Sequence, residues 1–201
     1  MIKYALTALL CLGLFSPQSA HANAEIGTAA PAFTVTDTNA KPIALSDFAG
    51  KIVVLEWTNQ GCPFVAKQYD SGNMQKVQKT LAGDDLIWIS VISSAEGKQG
   101  YFSAEEANKI IQDNNASPTH QILDPSGEIG HAYGAMTTPH MFIIDKSGTL
   151  VYKGAIDDHA TWREAGLADA TNYVVQAVSE LRAEKPVSTS ETKPYGCSVK
   201  Y

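Results

Sequence analysis

The sequence predicts an α/β fold: a mixed β-sheet flanked by helices, preceded by a hairpin extension and followed by a polar C-terminal tail. Residues 52–55 and 86–92 are apolar without alternation, the pattern of strands covered on both faces, and a helical stretch separates them. Strand, helix and strand in that order make a parallel, right-handed unit. Residues 141–144 and 150–152, by contrast, flank the tight turn Asp145-Lys146-Ser147-Gly148 and form an antiparallel hairpin, so the sheet must be mixed.

Taken in order, Phe33-Thr34-Val35-Thr36 alternates apolar and polar residues, and Lys41-Pro42-Ile43-Ala44-Leu45 supplies a partner strand across a polar turn. Ser46-Asp47-Phe48-Ala49-Gly50-Lys51 connects this hairpin to the first core strand. A helix starts at Pro63 and is interrupted at Ser71-Gly72-Asn73, after which Met74, Val77 and Leu81 continue an apolar stripe at helical spacing. In the second core strand Trp88 reads most simply as a packing residue. Ser103 and Glu106 form a capping box for the next helix, whose apolar face is Ala107, Ile110 and Ile111. Residues 121–123 make a short strand before the turn Asp124-Pro125-Ser126-Gly127, and Val174, Ala177, Val178 and Leu181 line a last amphipathic helix. Beyond Glu184 the chain turns polar and Pro-containing, the composition of a mobile or loosely docked tail.

The chemistry concentrates in Asn59-Gln60-Gly61-Cys62-Pro63-Phe64-Val65. Pro63 suits the first helical position, where its missing N–H is not needed, so Cys62 falls at the helix N-cap. Unpaired backbone N–H groups and the positive end of the helix dipole favour a thiolate there, and the thiolate is the nucleophile. The competing reading is a small buried cysteine packing a strand end.

With 201 residues and 44% hydrophobic content the chain can bury one ordinary core. Lys3, the apolar residues 5–15 and the small-residue site Ala20-His21-Ala22 have the pattern of a secretory signal peptide, with Ala22-Asn23-Ala24 as a rival cleavage site. The apolar run is well short of the roughly 20 residues of a spanning helix. The expected organisation is a signal peptide over 1–22, one folded domain over 23–185 and a tail over 186–201, in a periplasmic protein with no membrane span in its mature chain. Export removes Cys11 and leaves Cys62 and Cys197, a potential pair in an oxidising compartment. It also removes Lys3 from the 15 basic residues, so 14 face 21 acidic ones, a net charge of −7 that argues against nucleic acid and anionic membranes as partners. No cofactor or metal is expected.

The order of elements and four passages resemble a thioredoxin-fold redoxin of the peroxiredoxin-like group, that of alkyl hydroperoxide reductase and thiol-specific antioxidant relatives. The passages are residues 46–51, residues 59–65, Gly134-Ala135-Met136-Thr137-Thr138-Pro139-His140-Met141 with the strand after it, and Lys193-Pro194-Tyr195-Gly196-Cys197-Ser198-Val199-Lys200-Tyr201. Only residues 157–170 look peculiar to a subgroup. The resemblance implies a cis Pro139 facing Cys62, with the backbone at Thr138 pairing with an extended substrate. Glu56, six residues before Cys62, stands where thioredoxins keep a buried acid beneath the active-site thiol. A desolvated carboxyl there has a raised pKa and can relay a proton to or from sulfur, whereas a solvated strand-end Glu is the plainer reading.

Departures from the family pattern bear on the chemistry. Thioredoxins carry their second thiol three residues after the first, but that position is Val65, which leaves Cys197 as resolving thiol or as half of a structural staple. Peroxidases of the peroxiredoxin family carry a Pro seven residues before their cysteine, a Thr or Ser three before it, and an Arg three before the Phe of the late strand. Those positions hold Leu55, Asn59 and Pro139. Asn59 can donate to a peroxide oxygen, but no Arg is in register to stabilise the leaving oxygen. The expected activity is thiol-disulfide oxidoreduction by Cys62 and Cys197, acting on protein or small-molecule thiols and disulfides and recharged by an external thiol reductant. A two-cysteine peroxidase acting on peroxides is the alternative, and a copper- or partner-binding module using Cys62, Cys197 and His140 is the non-enzymatic one.

Overall fold

The computed structural model describes residues 24–201; the signal-peptide pattern and Cys11 lie outside the described residues. β1 (Thr34–Thr36) and β2 (Pro42–Ala44) pair antiparallel as the hairpin extension. A single 3-10 turn, Leu45–Phe48, buries Phe48 and leads into β3 (Ile52–Trp57), which is buried along its whole length. Then come α1 (Pro63–Asp70), α2 (Asn73–Leu81), β4 (Leu86–Ile92), α3 (Ala104–Asp113), β5 (His120–Leu123), α4 (Glu128–Tyr133) and β6 (Thr137–Thr138). The chain ends through β7 (His140–Ile144), β8 (Leu150–Gly154), α5 (Tyr173–Arg182) and β9 (Cys197–Ser198).

The central sheet has the order β5-β4-β3-β7-β8. β3 and β5 lie parallel to β4, whereas β7 is antiparallel to β3 and to β8. Alternation along β3 and β7 sorts the side chains into two cores. Val53, Leu55, Trp57, Phe142 and Ile144 pack with Phe33, Ile43, Phe48, Ile129 and Tyr133 on one face. Ile52, Val54, Met141 and Ile143 pack with Cys62, Val65, Met74, Val77, Val174 and Val178 on the other. The hairpin and α4 therefore cover one face, and α1, α2 and α5 the other. β3 sits between β4 and β7, so its C-terminal end delivers the Cys62 turn at the middle of the sheet.

α1 and α2 are separate because Gly72 takes a φ of +74°, a left-handed conformation that glycine adopts without strain. α4 has no counterpart in the sequence reading: six residues carry too little periodicity to register.

The C-terminal segment is docked along its length, contrary to the mobile or loosely docked tail its composition predicts. Thr192 Oγ1 accepts the Ala155 N–H at 2.9 Å and lies 2.7 Å from the Tyr152 hydroxyl. The Val199 N–H donates to the Met136 carbonyl at 3.0 Å, and the Ala95 N–H donates to the Lys200 carbonyl at 2.8 Å. The Tyr201 ring stacks on His131 at 3.9 Å, and its hydroxyl donates to the Ala135 carbonyl at 2.8 Å. A polar tail can dock this way because backbone pairing and single aromatic contacts, rather than an apolar stripe, hold it.

Candidate active site

Cys62 caps α1 with extended backbone (φ −91°, ψ 122°), and Pro63 begins the helix. The preceding turn is closed by Asn59, whose carbonyl accepts the Cys62 N–H at 2.9 Å and whose side-chain oxygen accepts the Gly61 N–H at 3.0 Å. The thiol is solvent-inaccessible and donates to the Thr138 carbonyl at 3.0 Å. The Thr138–Pro139 peptide bond is cis. β9 lies antiparallel to β6, with Cys197 opposite Thr138 and Ser198 opposite Thr137. This approach depends on Gly196: its φ is +138°, and a β-carbon there would collide with the Thr138 carbonyl oxygen.

Cys197 packs against the buried cluster that holds Cys62, and the two thiols are polarised in opposite directions. Burial alone would raise the pKa of Cys62, but the polar groups of Cys197 and Thr138 beside it outweigh that and hold it below the ordinary thiol value. Cys197 is pushed up to about 11 by burial and by its bond to Cys62 and the charge there, against a small opposing pull from Lys200. The Thr138 hydroxyl is buried without a hydrogen-bond partner of its own, a free donor for a charged sulfur beside it. Both cysteines are free thiols. The arrangement suits a Cys62 thiolate and a Cys197 thiol that donates to it.

Glu56 is fully buried on β3 and, by alternation, shares the sheet face of Ile52, Val54 and Cys62. Its carboxyl accepts the Tyr69 hydroxyl at 2.7 Å, the Trp88 indole N–H at 2.8 Å and the Ser90 hydroxyl at 3.1 Å. Burial raises its pKa, although those donors oppose the shift. The solvated reading of Glu56 is thereby overturned, and Trp88 is more than a packing residue.

Other candidates are placed elsewhere. The Asn59 amide donates to the Gln99 carbonyl at 3.1 Å, so this side chain builds the turn and ties it to the loop before α3. His140 shares the Phe142 face of β7, opposite the face that packs on Cys62; its ring lies 4.4 Å from Phe142, and its Nδ1 accepts the Met136 N–H at 3.3 Å. Burial pushes its pKa down to about 4, helped by the charge of Lys153. His140 therefore does not join Cys62 and Cys197, and no group of three or more His, Cys, Asp or Glu able to hold a metal occurs among the described residues.

A mixed sheet whose central strand delivers a helix-capping cysteine opposite a cis proline narrows the family. The family model described as "AhpC/TSA family" matches residues 26–153. The chain belongs to the AhpC/TSA family. Thiol-disulfide oxidoreductase ResA of Bacillus thuringiensis subsp. konkukian is 28% identical to this AhpC/TSA protein over 127 residues, covering 63% of this chain and 68% of the relative. An uncharacterized conserved protein from Geobacillus kaustophilus superposes with a TM-score of 0.73 at 22% identity, covering 88% of this chain and 92% of the other, and so shares the fold. The exposed lipoprotein thioredoxin Etrx1 of Streptococcus pneumoniae superposes at 0.51 with 27% identity, over 75% of this chain and all of the other.

Sequence reasoning missed a polar cluster beside the site, made by Lys67 and Gln68 on α1, Asp157 after β8, and Tyr195 in the tail. Its sole signal was the place of Tyr195 two residues before Cys197.

Proposed function

We propose that this AhpC/TSA-family protein is an exported thiol-disulfide oxidoreductase, with Cys62 as nucleophile and Cys197 as resolving thiol. The observation that carries the reading is a pair of free thiols brought together at a helix N-cap, Cys62 bonded to Thr138 and Cys197 paired opposite it, one lowered and one raised in pKa. The ResA relatives bear the name of the same activity. Export is supported by the signal-peptide pattern of residues 1–22, ahead of the domain at 23–185 and the tail at 186–201. No helix among the described residues is long and apolar enough to cross a membrane.

In the forward reaction the Cys62 thiolate attacks one sulfur of a substrate disulfide. It forms a mixed disulfide and releases the other substrate sulfur as a thiolate, which takes up a proton. Because the reduced tail covers Cys62, β9 lifts from β6 to admit the substrate, and Thr138 and Pro139 then line the exposed edge. Cys197 loses its proton and attacks the Cys62 sulfur, closing an internal disulfide and releasing the second substrate thiolate. Glu56 is the buried group able to hold or release a proton on that face of the sheet. An external dithiol then reduces the internal disulfide and becomes oxidised itself.

The test is trapping. With glutathione disulfide, a Cys197→Ser variant should accumulate glutathione on Cys62, while the parent passes through that adduct to an internal disulfide. An adduct that persists equally in both proteins would remove Cys197 from the mechanism.

Family membership supports the peroxidase alternative, in which the Cys62 thiolate takes one peroxide oxygen to become a sulfenic acid and the other leaves as alcohol or water. Against it, Arg182 pairs with Asp85 at 2.8 Å and Arg163 lies over Trp162, so neither arginine faces Cys62. A sulfenic or sulfinic Cys62 in Cys197→Ser after peroxide, with no reaction toward disulfides, would favour that reading.

A further inference from the structure

We propose that Tyr195 is a positioning residue for the thiol pair: its hydroxyl, set between Lys67 and Asp157 against α1, holds Cys197 at Cys62. The proposal rests on the redox reading of the two cysteines.

Tyr195 is half-buried, and three contacts tie it to the helix that Cys62 caps. Its ring lies 5.8 Å from Phe64, and its hydroxyl oxygen accepts from Lys67 Nζ at 3.2 Å and from Gln68 Nε2 at 3.4 Å. The hydroxyl proton goes to Asp157 in a short hydrogen bond. Lys67 Nζ also stands 4.9 Å above the Tyr195 ring. Lys67 and Asp157 are both buried, 3% and 2% exposed, and the Tyr195 oxygen links the cation to the anion. A charge buried this deeply needs partners, and a side chain that serves both charges is held in one place. Burial and Asp157 keep Tyr195 well above its ordinary pKa, so it stays a donor at any working pH.

The geometry converts that clasp into a function. Nucleophile and clasp share α1, with Cys62 at its cap and Phe64, Lys67 and Gln68 on its first two turns. The tail is gripped at Tyr195, pressed against Thr138 at Gly196, and delivers its thiol at Cys197. Fixing Tyr195 to the helix therefore fixes the second sulfur relative to the first, which raises its effective concentration there. This also gives a purpose to residues 157–170, the stretch that looks peculiar to a subgroup. Asp157 accepts the tyrosine proton, and the His159 carbonyl accepts Lys67 Nζ at 2.9 Å.

The test is the Tyr195→Phe variant, which keeps the ring on Phe64 and removes only the hydroxyl. Asp157 retains Gln68 at 2.7 Å and the His159 N–H at 2.9 Å, and Lys67 retains the His159 carbonyl, so the variant should fold. In a glutathione buffer the reduced protein and one glutathione disulfide give the internal disulfide and two glutathiones, and this equilibrium reads the effective concentration of Cys197 at Cys62. Loss of a charge-assisted hydrogen bond should lower it roughly tenfold. The pH midpoint of the Cys62 thiolate absorbance near 240 nm should rise, a change that a purely structural role far from sulfur would not produce. Asp157→Asn, which keeps an acceptor for the hydroxyl, should fall between parent and Tyr195→Phe. Parental equilibrium and midpoint in both variants would overturn the role of Tyr195. Failure of the parent itself to close the disulfide would instead overturn the redox reading beneath it.

Discussion

Cys197 stands directly across an antiparallel pair from Thr138, the residue whose carbonyl accepts the Cys62 thiol proton at 3.0 Å. The strand edge ahead of the cis proline is thus occupied by the protein's own tail. That single relationship brings Cys62, the second thiol and the proline loop together.

The two thiols should titrate far apart. The first thiolate, on Cys62, should form below the ordinary thiol value, and the second only near pH 11. Cys197→Ala removes the neighbouring thiol that stabilises the Cys62 thiolate and should move the first midpoint upward. Thiolate absorbance against pH measures both, and one merged transition near the ordinary thiol value would refute the polarisation.

Gly196→Ala should displace the tail, because the added methyl meets the Thr138 carbonyl at a φ that alanine disfavours. Disulfide closure should slow by at least about tenfold, with a stability loss of about 1–3 kcal/mol. Stopped-flow oxidation by glutathione disulfide, alongside urea denaturation, separates the two effects.

Glu56 gathers three buried donors, so Glu56→Ala should cost about 2–4 kcal/mol by leaving them unpaired. Glu56→Gln, which still accepts on one side, should cost much less. Because burial raises its pKa, the native protein binds a proton more tightly than the unfolded chain. The Glu56 contribution to stability should therefore fall as pH rises above about 4.5 toward the native value, and the difference between parent and Glu56→Gln isolates it. Denaturation midpoints across pH 4 to 8 supply the test.

His140 works in the opposite sense. Its pKa is about 4 in the folded state against 6.5 for the free side chain, so the unfolded chain binds the proton first. The His140 contribution to stability should be full above about pH 6.5 and decline by about 3 kcal/mol as pH falls to 4, a loss that His140→Asn should reduce. Acid unfolding of the two proteins compared at equal ionic strength decides it.

Much of this was legible from residues alone. The unalternating runs of β3 and β4 and the Asp145 to Gly148 turn predict the mixed sheet, and Pro63 places Cys62 at the N-cap. Local signals of that kind survive folding because they act within a few residues. The docked tail, the three donors around Glu56 and the Tyr195 clasp were not legible. Each joins residues far apart in the chain: Tyr195 and Lys67 are separated by 128 positions, and no periodicity links them. The part Asn59 plays in closing the Cys62 turn was likewise not legible, because its partner Gln99 lies 40 positions away.

The most direct measurement is the intact mass of residues 23–201 with thiol alkylation, before and after one equivalent of glutathione disulfide. The reduced protein should take two alkyl groups. After oxidation it should take none and be lighter than the reduced form by two hydrogens, with no glutathione retained, as an internal Cys62–Cys197 disulfide requires. Two thiols that remain alkylatable, or a lasting glutathione adduct on Cys62, would contradict the coupled pair.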